Sequence, residues 1–467
     1  MGRKTLLLVI LVVLATNILT FLGTRAMDVE TPQEGVIPEL DEDFQLFQEI
    51  VGILEADHLD DIDRKKLLDG AFRGMLKELD DPQASYLDPE EYENLRIQTE
   101  GTYGGVGIEV FYEDDYVTVV SPISGTPGER AGLSTGDRII AVDGKNLVGE
   151  GLTKAINLMR GEPGTDLKIE VERPGVDGII EFNITREKIE LTTVKHQMFD
   201  HNLGYIKLTN FSTTSPQEFQ KALEKLKQEG MAGLVVDLRN NPGGSLDSAI
   251  LIADMLVPEG PITHVVYGEN RIETHESRSK GLQMPMVVLV NKASSSASEV
   301  LAGALQDTNT ATLIGTQTFG KASVQNIRGL SNEGALRFTV AQYQTPDGRT
   351  IHEKGLTPDI KVEPPYVAEL AMEPISVNLV EGDEGKEVET LQKILSEFSY
   401  FAEEISGYFD LATREALKEF QRDRGISITG EMSELVVRQL HDEIENRKKE
   451  QDNKLNRALE LLKNELK

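Results

Sequence analysis

Residues Asn202 to Pro365 alternate between short apolar runs and amphipathic helical patterns. The apolar runs predict strands at Gly204–Leu208, Leu234–Leu238 and Met286–Val290, and the helical patterns lie at Pro216–Gln228, Leu246–Leu256 and Ser296–Gln306. Such alternation is typical of βαβ units, in which parallel strands form one sheet and helices pack on it. Two further stretches, Ile262–Ser277 and Leu336–Gly348, predict β-hairpins. We therefore expect an α/β core in the middle of the chain.

Two segments of this core lie where a predicted strand turns into a helix. Asp237–Gly244 (DLRNNPGG) follows one buried strand, and a serine cluster that includes Ser296 follows another. Sites in α/β sheets form outside the carboxyl ends of strands, and a serine at a strand-to-helix turn has the geometry of an activated nucleophile. The helix N-terminus would direct N–H groups and its positive dipole end at an oxyanion formed there. The structural alternative is a capping box, because Glu299 follows Ser296 by three positions.

A serine hydroxyl needs a base. The chain has no cysteine, so disulfides and thiol nucleophiles are excluded. None of the core histidines lies in a recognisable triad context; these are His201, His264, His275 and His352. Lys321 lies among apolar residues, and burial would lower its pKa enough for it to act as a base. The alternatives are that Lys321 is a solvent-facing loop residue, or that a histidine is the base after all.

The first residues of the chain predict a location. Thr5–Gly23 is an almost uninterrupted apolar run, long enough to cross a bilayer as a helix, and Arg3 and Lys4 precede it. This predicts that the N-terminus stays in the cytoplasm and that the rest is extracytoplasmic, anchored to the membrane or secreted after cleavage of a signal peptide. The net charge of −31 disfavours binding to nucleic acid.

Apolar residues recur at helical spacing in Phe44–Arg96, which predicts a small helical unit; a homodimer contact there is the alternative. From Gly101 the residue pattern changes and predicts short strands of alternating polarity, separated by Gly and Pro. This region resembles a PDZ domain through the loop Gly105-Val106-Gly107-Ile108, the AGL-x-x-GD-x-I run from Ala131 to Ile139, and Asp143-Gly144. The resemblance implies that the loop N–H groups bind a peptide's terminal carboxylate while a strand pairs with the peptide. The alternative is that the glycines only form a tight turn.

The segment after Pro365 is similar to the three-helix peptidoglycan-binding module, through Leu391-Gln392, the Gly407–Asp410 segment and Phe420-Gln421. The alternative is a helical bundle without a ligand. The charged end of the chain carries a leucine stripe, which predicts a solvated or self-associating helix; the stripe comprises Leu455, Leu459, Leu462 and Leu466.

The predicted fold class is a multidomain chain of α/β and α+β parts: a membrane helix, a helical segment, a PDZ-like β domain, an α/β protease core and a three-helix module. The expected boundaries are 1–26 for the anchor or signal peptide, 27–43 for a tether, 44–98, 101–187, 190–365 and 375–442 for these domains, and 443–467 for the tail.

Three blocks resemble the carboxyl-terminal processing peptidases, also called tail-specific proteases. The blocks are Ser296–Glu299 followed by Ala304–Asp307, Thr318–Gln325, and Asp237–Gly244. The order of anchor, helical segment, PDZ and core matches as well. Position 295 departs from the family pattern, which usually has alanine there where this chain has Ser295.

The resemblance implies roles for individual residues. It places the nucleophile at Ser296, the general base at Lys321 and the glutamine that orients the base at Gln325. The oxyanion donors would be the backbone N–H of Ala297 and of Gly243 or Gly244, and Arg160 is a candidate latch or, alternatively, a surface arginine. The implied activity is acyl transfer with water on protein substrates that have accessible C-termini, with no cofactor and no metal. A catalytically inactive scaffold that binds peptides and cell wall is the competing hypothesis.

Overall fold

The computed structural model describes residues 41–268, 271–370, 373–450 and 452–467. The predicted membrane segment and most of the predicted tether lie outside these residues. Within the described ranges, no helix is both long enough and apolar enough to cross a membrane. The chain divides into two compact units, residues 1–75 and 76–467.

The described part of the first unit is helical, as predicted. Helix α1 covers Asp41–Asp57, and helix α2 covers Arg64–Lys77 and so continues past the end of the unit. Apolar residues from both helices line one groove, among them Val51, Leu54 and Leu67. Other apolar side chains of α1 are exposed; they include Phe44, Leu46, Ile50 and Ile53. The homodimer contact expected here stays a prediction.

The second unit begins with a short strand that the sequence pattern did not predict. Strand β1 (Ser85–Leu87) is too short to show an alternating pattern, and it pairs with a distant strand of the core. Helix α3 (Pro89–Glu100) follows. It begins at the capping box of Asp88 and Glu91 and ends at Gly101, whose φ of 71° is a conformation that favours glycine.

Residues 102–190 form the predicted PDZ-like β domain. Its elements are β2 (Thr102–Gly105), β3 (Ile108–Glu113), β4 (Tyr116–Pro122), α4 (Pro127–Ala131), β5 (Arg138–Val142), β6 (Lys145–Asn146), α5 (Leu152–Met159), β7 (Asp166–Glu172), β8 (Ile179–Thr185) and β9 (Glu187–Glu190). The main sheet has the order β3-β4-β5-β7-β8, and β6 pairs with β5. Strand β3 is therefore an edge strand, free to pair with a peptide.

The α/β core follows as the alternation predicted. Its first elements are β10 (Val194–Phe199), β11 (Leu203–Leu208), α6 (Ser215–Gln228), β12 (Gly233–Asp237), α7 (Leu246–Leu256), β13 (Pro258–Tyr267), β14 (Arg271–Lys280), β15 (Met286–Val290), α8 (Ala297–Asp307) and β16 (Thr312–Gly315). The remaining strands are β17 (Ser323–Gly329), β18 (Ala335–Gln344) and β19 (Ile360–Lys361).

These strands form two sheets. The first has the order β10-β11-β12-β15-β16-β19 and is parallel except between β10 and β11. The second has the order β1-β18-β13-β14, with β17 paired to β18. The predicted hairpin within Ile262–Ser277 is β13 and β14. The second predicted hairpin is wrong, because the described chain forms no second strand directly after the turn that follows β18. It forms only an isolated bridge between Gln344 and Thr350 there.

The C-terminal region contains α9 (Tyr366–Leu370), α10 (Lys386–Glu397), α11 (Leu411–Asp423), α12 (Glu434–Glu450) and α13 (Asn453–Glu465). The first four share one apolar core. The two glutamines that carried the resemblance to peptidoglycan-binding modules have structural partners. Gln392 Oε1 accepts the Gly407 N–H at 2.9 Å, and Gln421 Oε1 accepts the Gly430 N–H at 2.8 Å. Both side chains therefore hold glycine turns in place.

The prediction of a solvated helix at the end of the chain is wrong, and self-association of this helix stays a prediction. Ala458 and Leu462 of helix α13 are fully buried together with Val235 and Leu289 of the parallel sheet, while Leu466 at the end of the stripe is 39% exposed. Alternate residues of these strands face the helices α6, α7 and α8 on the other side. The sheet needs cover on both faces, and α13 supplies it on one of them.

We expect Leu462→Ala to lower the free energy of unfolding by about 2–5 kcal/mol, because it opens a cavity in a closed core. Leu466 is the matched control, since it belongs to the same stripe but is 39% exposed. Leu466→Ala should cost less than about 1 kcal/mol. Chemical denaturation measures both values, and equal effects would contradict the packing of α13 on the sheet.

Candidate active site

The candidate nucleophile lies at a sharp turn between β15 and α8. Ser296 is the residue before α8 and has φ 55° and ψ −118°, a region that L-residues rarely occupy. Such strain persists only where the surrounding structure holds it, and it clusters at functional sites. The turn brings Ser296 to the carboxyl end of a central parallel strand.

Three neighbouring serines have structural partners. The Ser294 hydroxyl donates to the Leu238 carbonyl at 2.9 Å, that of Ser295 to the Pro242 carbonyl at 2.8 Å, and that of Ser298 to the Asn241 carbonyl at 3.0 Å. All three bonds tie the serine turn to the Asp237–Gly244 segment. Of the four clustered serines, Ser296 is the one that lines the neighbouring cavity. The unusual Ser295 is therefore part of the scaffold of this turn.

A buried carboxylate organises the same turn. Glu299 is fully buried, and its carboxylate accepts the backbone N–H of Ser296 at 2.9 Å, so the predicted capping contact is present. It also accepts the N–H of Gly320 at 2.8 Å, the N–H of Lys321 at 2.9 Å and the hydroxyl of Thr318 at 2.5 Å. One side chain thus fixes the backbone of both Ser296 and Lys321.

The glycine loop approaches the serine turn closely. A Cβ atom on Gly243, whose φ is 102°, would lie 2.9 Å from Ser296 Cβ and 3.0 Å from the Ala297 nitrogen, so only glycine fits. The Gly243 N–H is engaged, because it donates to Asn241 Oδ1 at 2.9 Å. Within the described residues, the N–H groups of Gly244 and Ala297 donate to no protein group, and both residues line the cavity. These two amides are the available oxyanion donors.

Lys321 lies just before β17 and lines the same cavity as Ser296. The lysine is half-buried, and no carboxylate of the described residues forms a salt bridge with it. Burial lowers the pKa of its ammonium group from the ordinary value, and the Arg337 guanidinium lowers it further. Both effects favour the neutral amine, which is the form that can accept a proton.

Two further residues surround this pair. Tyr343, which the sequence did not single out, has its hydroxyl 2.8 Å from the Ser296 carbonyl oxygen and within hydrogen-bond distance of the Lys321 carbonyl oxygen. Burial and the Glu299 charge raise the pKa of Tyr343, so its hydroxyl stays protonated and donates. Gln325 lies in β17 and lines the cavity, but its amide nitrogen donates to Gln83 Oε1 at 3.0 Å. Its predicted role in orienting Lys321 stays a prediction.

The cavity has a volume of about 690 Å³. Helix α3 forms part of its wall through Leu95, Gln98 and Thr99, and the strand ribbon of β17 and β18 forms another part. Its lining includes no histidine of the described residues. His264, one of the alternative bases, instead contacts the Thr274 hydroxyl at 2.8 Å and the Pro346 carbonyl at 3.0 Å.

A second cavity, of about 260 Å³, lies between β3 and α5. The loop residues Val106, Gly107 and Ile108 line it. The carbonyl of Val106 accepts the Gly128 N–H at 2.7 Å, and that of Gly107 accepts the Ile123 N–H at 2.9 Å. In a trans peptide, the C=O of one residue and the N–H of the next point in opposite directions. The N–H groups of Gly107 and Ile108 therefore point away from Gly128 and Ile123.

Arg160 lines this second cavity at the end of α5. Its guanidinium donates to Asn94 Oδ1 at 2.7 Å and lies over the Tyr103 ring, 5.2 Å from the centroid. Asn94 belongs to α3, and Leu95 and Gln98 of the same helix line the cavity of Ser296. Arg160 therefore contacts the helix that forms part of the wall of the candidate active site.

The fold and the site define a serine-type peptidase core joined to a PDZ domain. Four regions match known domain families: residues 202–362 match peptidase family S41, 118–173 a PDZ domain, 384–440 a peptidoglycan binding domain, and 21–91 the N-terminal domain of the activating protease CtpB. The carboxy-terminal processing protease CtpA of Bacillus subtilis is 34% identical over 415 residues, which cover 88% of this chain and 89% of that protein. The chain belongs to the carboxy-terminal processing proteases of peptidase family S41.

The chain is also similar to a second relative and to a solved structure. The carboxy-terminal-processing protease of Bartonella bacilliformis is 42% identical over 310 residues, which cover 65% of this chain and 71% of that protein. Among solved structures, a photosystem II D1 C-terminal processing protease is 32% identical and has a TM-score of 0.40, covering 68% of this chain and 86% of that one.

We expect Arg337→Gln to move the acidic limb of the pH profile of kcat/KM to higher pH. A neighbouring positive charge disfavours the ammonium form, so its removal raises the pKa of Lys321 and delays formation of the neutral base as pH rises. Peptidase assays across pH measure the shift. Arg328→Gln is the control, because Arg328 is exposed on the same ribbon; an unshifted limb in Arg337→Gln would contradict the coupling.

Proposed function

We propose that the chain is an extracytoplasmic, membrane-anchored endopeptidase that cleaves proteins near their C-termini with a Ser296/Lys321 dyad. One observation carries the dyad: Ser296 and Lys321 line one cavity with two unengaged backbone N–H groups, while Glu299 holds the backbone of both. Extracytoplasmic anchoring rests on the basic flank and apolar run at the start of the sequence.

The proposed reaction is acyl transfer. Neutral Lys321 takes the hydroxyl proton as Ser296 Oγ attacks a peptide carbonyl, and the N–H groups of Ala297 and Gly244 stabilise the oxyanion. Protonated Lys321 gives its proton to the leaving amine, and water then releases the acyl group by the reverse sequence. Gln325 would orient Lys321 if substrate binding releases its amide from Gln83.

The PDZ groove is proposed to bind the substrate's C-terminus. The free edge of β3 offers backbone groups to an extended peptide, and the N–H groups of Gly107 and Ile108 offer donors to its carboxylate. The contact of Arg160 with α3 would transmit occupancy of the groove to the catalytic cavity, which is the latch role. The domain at 384–440 is proposed to bind peptidoglycan on the grounds of its family match alone.

We expect Ser296→Ala and Lys321→Ala each to lower kcat/KM by at least about a thousandfold, because the two residues act as one unit. Lys321→Arg should also be inactive, since arginine stays protonated. The assay follows cleavage of an unstructured protein with an apolar C-terminus. Ser295→Ala is the matched control and should lose about tenfold or less. Activity retained in Ser296→Ala or Lys321→Ala would exclude the dyad.

We expect amidation of the substrate's C-terminus to lower kcat/KM of the wild type, because the loop N–H groups then lose a charged partner. In Arg160→Ala and Asn94→Ala, the difference between free acid and amide should shrink in kcat, since the link from groove to α3 is cut. Arg130→Ala is the control, because Arg130 is an exposed PDZ arginine paired with Glu187. An amidation effect of equal size in all variants would count against the latch.

A further inference from the structure

The catalytic cavity has a charge pattern opposite to that of the whole protein. The chain has 79 acidic and 48 basic residues. The charged residues that line the cavity within the described part of the chain are nevertheless two cations, Lys321 and Arg337, without any carboxylate. If Lys321 works as a neutral base, Arg337 is the permanent positive charge of this cavity. Placing an uncompensated cation in a partly buried site is costly unless it has a partner.

Among the residues that the structure describes, Arg337 has no such partner. Its Nε atom is buried and makes no hydrogen bond, and its guanidinium forms no salt bridge with any residue in the described ranges. Two carboxylates of the surrounding segments are already engaged. Glu299 accepts the four bonds described above, and Asp81 accepts the N–H of Thr339 at 2.9 Å and the Thr339 hydroxyl at 3.1 Å.

A second polar group in the same cavity is also unpartnered. Ser323 lines the cavity, is only 6% exposed, and its hydroxyl oxygen makes no hydrogen bond. On the other side of Arg337, Ser85 is its direct cross-strand neighbour, and its buried hydroxyl is unpartnered as well. Buried polar groups without partners are rare in folded proteins and require an explanation. A bound anionic ligand would supply one.

We propose that Arg337 binds a carboxylate of the substrate within the catalytic cavity, so that the enzyme prefers substrates with a negative charge a few residues from the scissile bond. This rests on the proposed function, since it assigns a specificity residue to the same cavity. The carboxylate comes either from the substrate's C-terminus or from an Asp or Glu side chain. The guanidinium fork can form two parallel hydrogen bonds with a carboxylate, and no neutral peptide group matches this geometry equally well.

The strand register indicates how far the carboxylate bound by Arg337 lies from the scissile bond. Arg337 lies six residues before Tyr343 on β18, and the Tyr343 hydroxyl bonds to the Ser296 carbonyl. Six residues of extended strand span about 20 Å, and the arginine side chain can recover roughly a third of this. The carboxylate would therefore lie about three to five residues from the bond that is cut.

The test uses the full chain in detergent and one peptide scaffold with a fixed cleavage site. One series places Glu or Gln at each position from two to six residues on either side of the cut. A second series ends two to six residues after the cut as free acid or amide. For the wild type we expect kcat/KM to favour a carboxylate at one position by about tenfold or more over its neutral counterpart.

The variants separate charge recognition from an effect on Lys321. In Arg337→Gln the ratio of acidic to neutral kcat/KM should fall to near one; a change in the Lys321 pKa cancels in this ratio. Arg337→Lys should keep part of the preference, and Arg337→Glu should invert it toward Lys-containing peptides. Arg328→Gln, the exposed neighbour on the ribbon, should behave as wild type. Circular dichroism melting confirms that each variant is folded.

The outcomes are decisive. Loss of a side-chain preference in Arg337→Gln identifies an acidic side chain as the ligand, and loss of a free-acid preference identifies the C-terminus. A wild-type ratio near one in both series, or a preference that persists unchanged in Arg337→Gln, overturns the proposal. A free-acid preference that persists belongs to the PDZ groove. If the peptides are cleaved by the wild type while Ser296→Ala and Lys321→Ala are both inactive, the proposed dyad stands even where this inference fails.

Discussion

The carboxylate of Glu299 is the contact on which the geometry of the candidate site depends. It accepts hydrogen bonds from the backbone of Ser296 on one side and from Thr318, Gly320 and Lys321 on the other. A buried carboxylate is stable only when donors surround it. Glu299 therefore depends on donors from both segments, and its bonds to them hold the two segments together. The strained backbone of Ser296 can persist because this network fixes it.

The rest of the site is built around that turn by short polar ties. Serine hydroxyls on one segment reach carbonyl oxygens of the glycine loop on the other, and Asn241 engages the Gly243 amide so that the Gly244 amide is left open. Tyr343 joins the carbonyls of Ser296 and Lys321 from the second sheet. The candidate catalytic residues thus lie at the surface of a scaffold in which most polar groups already have hydrogen-bond partners.

Peripheral elements extend this scaffold to recognition. Helix α3 touches Arg160 of the PDZ groove and lines the catalytic cavity, so it contacts both candidate sites. At the opposite end of the chain, α13 covers the sheet, and Asp452 at its start accepts a hydrogen bond from Arg239 at 2.6 Å. Arg239 also pairs with the buried Asp237, so part of the DLRNNPGG segment serves to hold the end of the chain.

The sequence alone determined the parallel strands of the core and the PDZ-like β domain, and through its family resemblance it predicted Ser296 and Lys321 as the site residues, because periodic apolar patterns and short motifs are local. It left Gly243 and Gly244 open as oxyanion donors, because the choice between them depends on where the Asn241 side chain lies in the folded loop, which no local sequence pattern indicates. Only the tertiary structure decided that Gly244 has the open amide, that α13 is core and that Gln325 contacts Gln83. It also revealed Tyr343 and Arg337, which stand in an ordinary strand pattern and reach the cavity only when β17 and β18 pair.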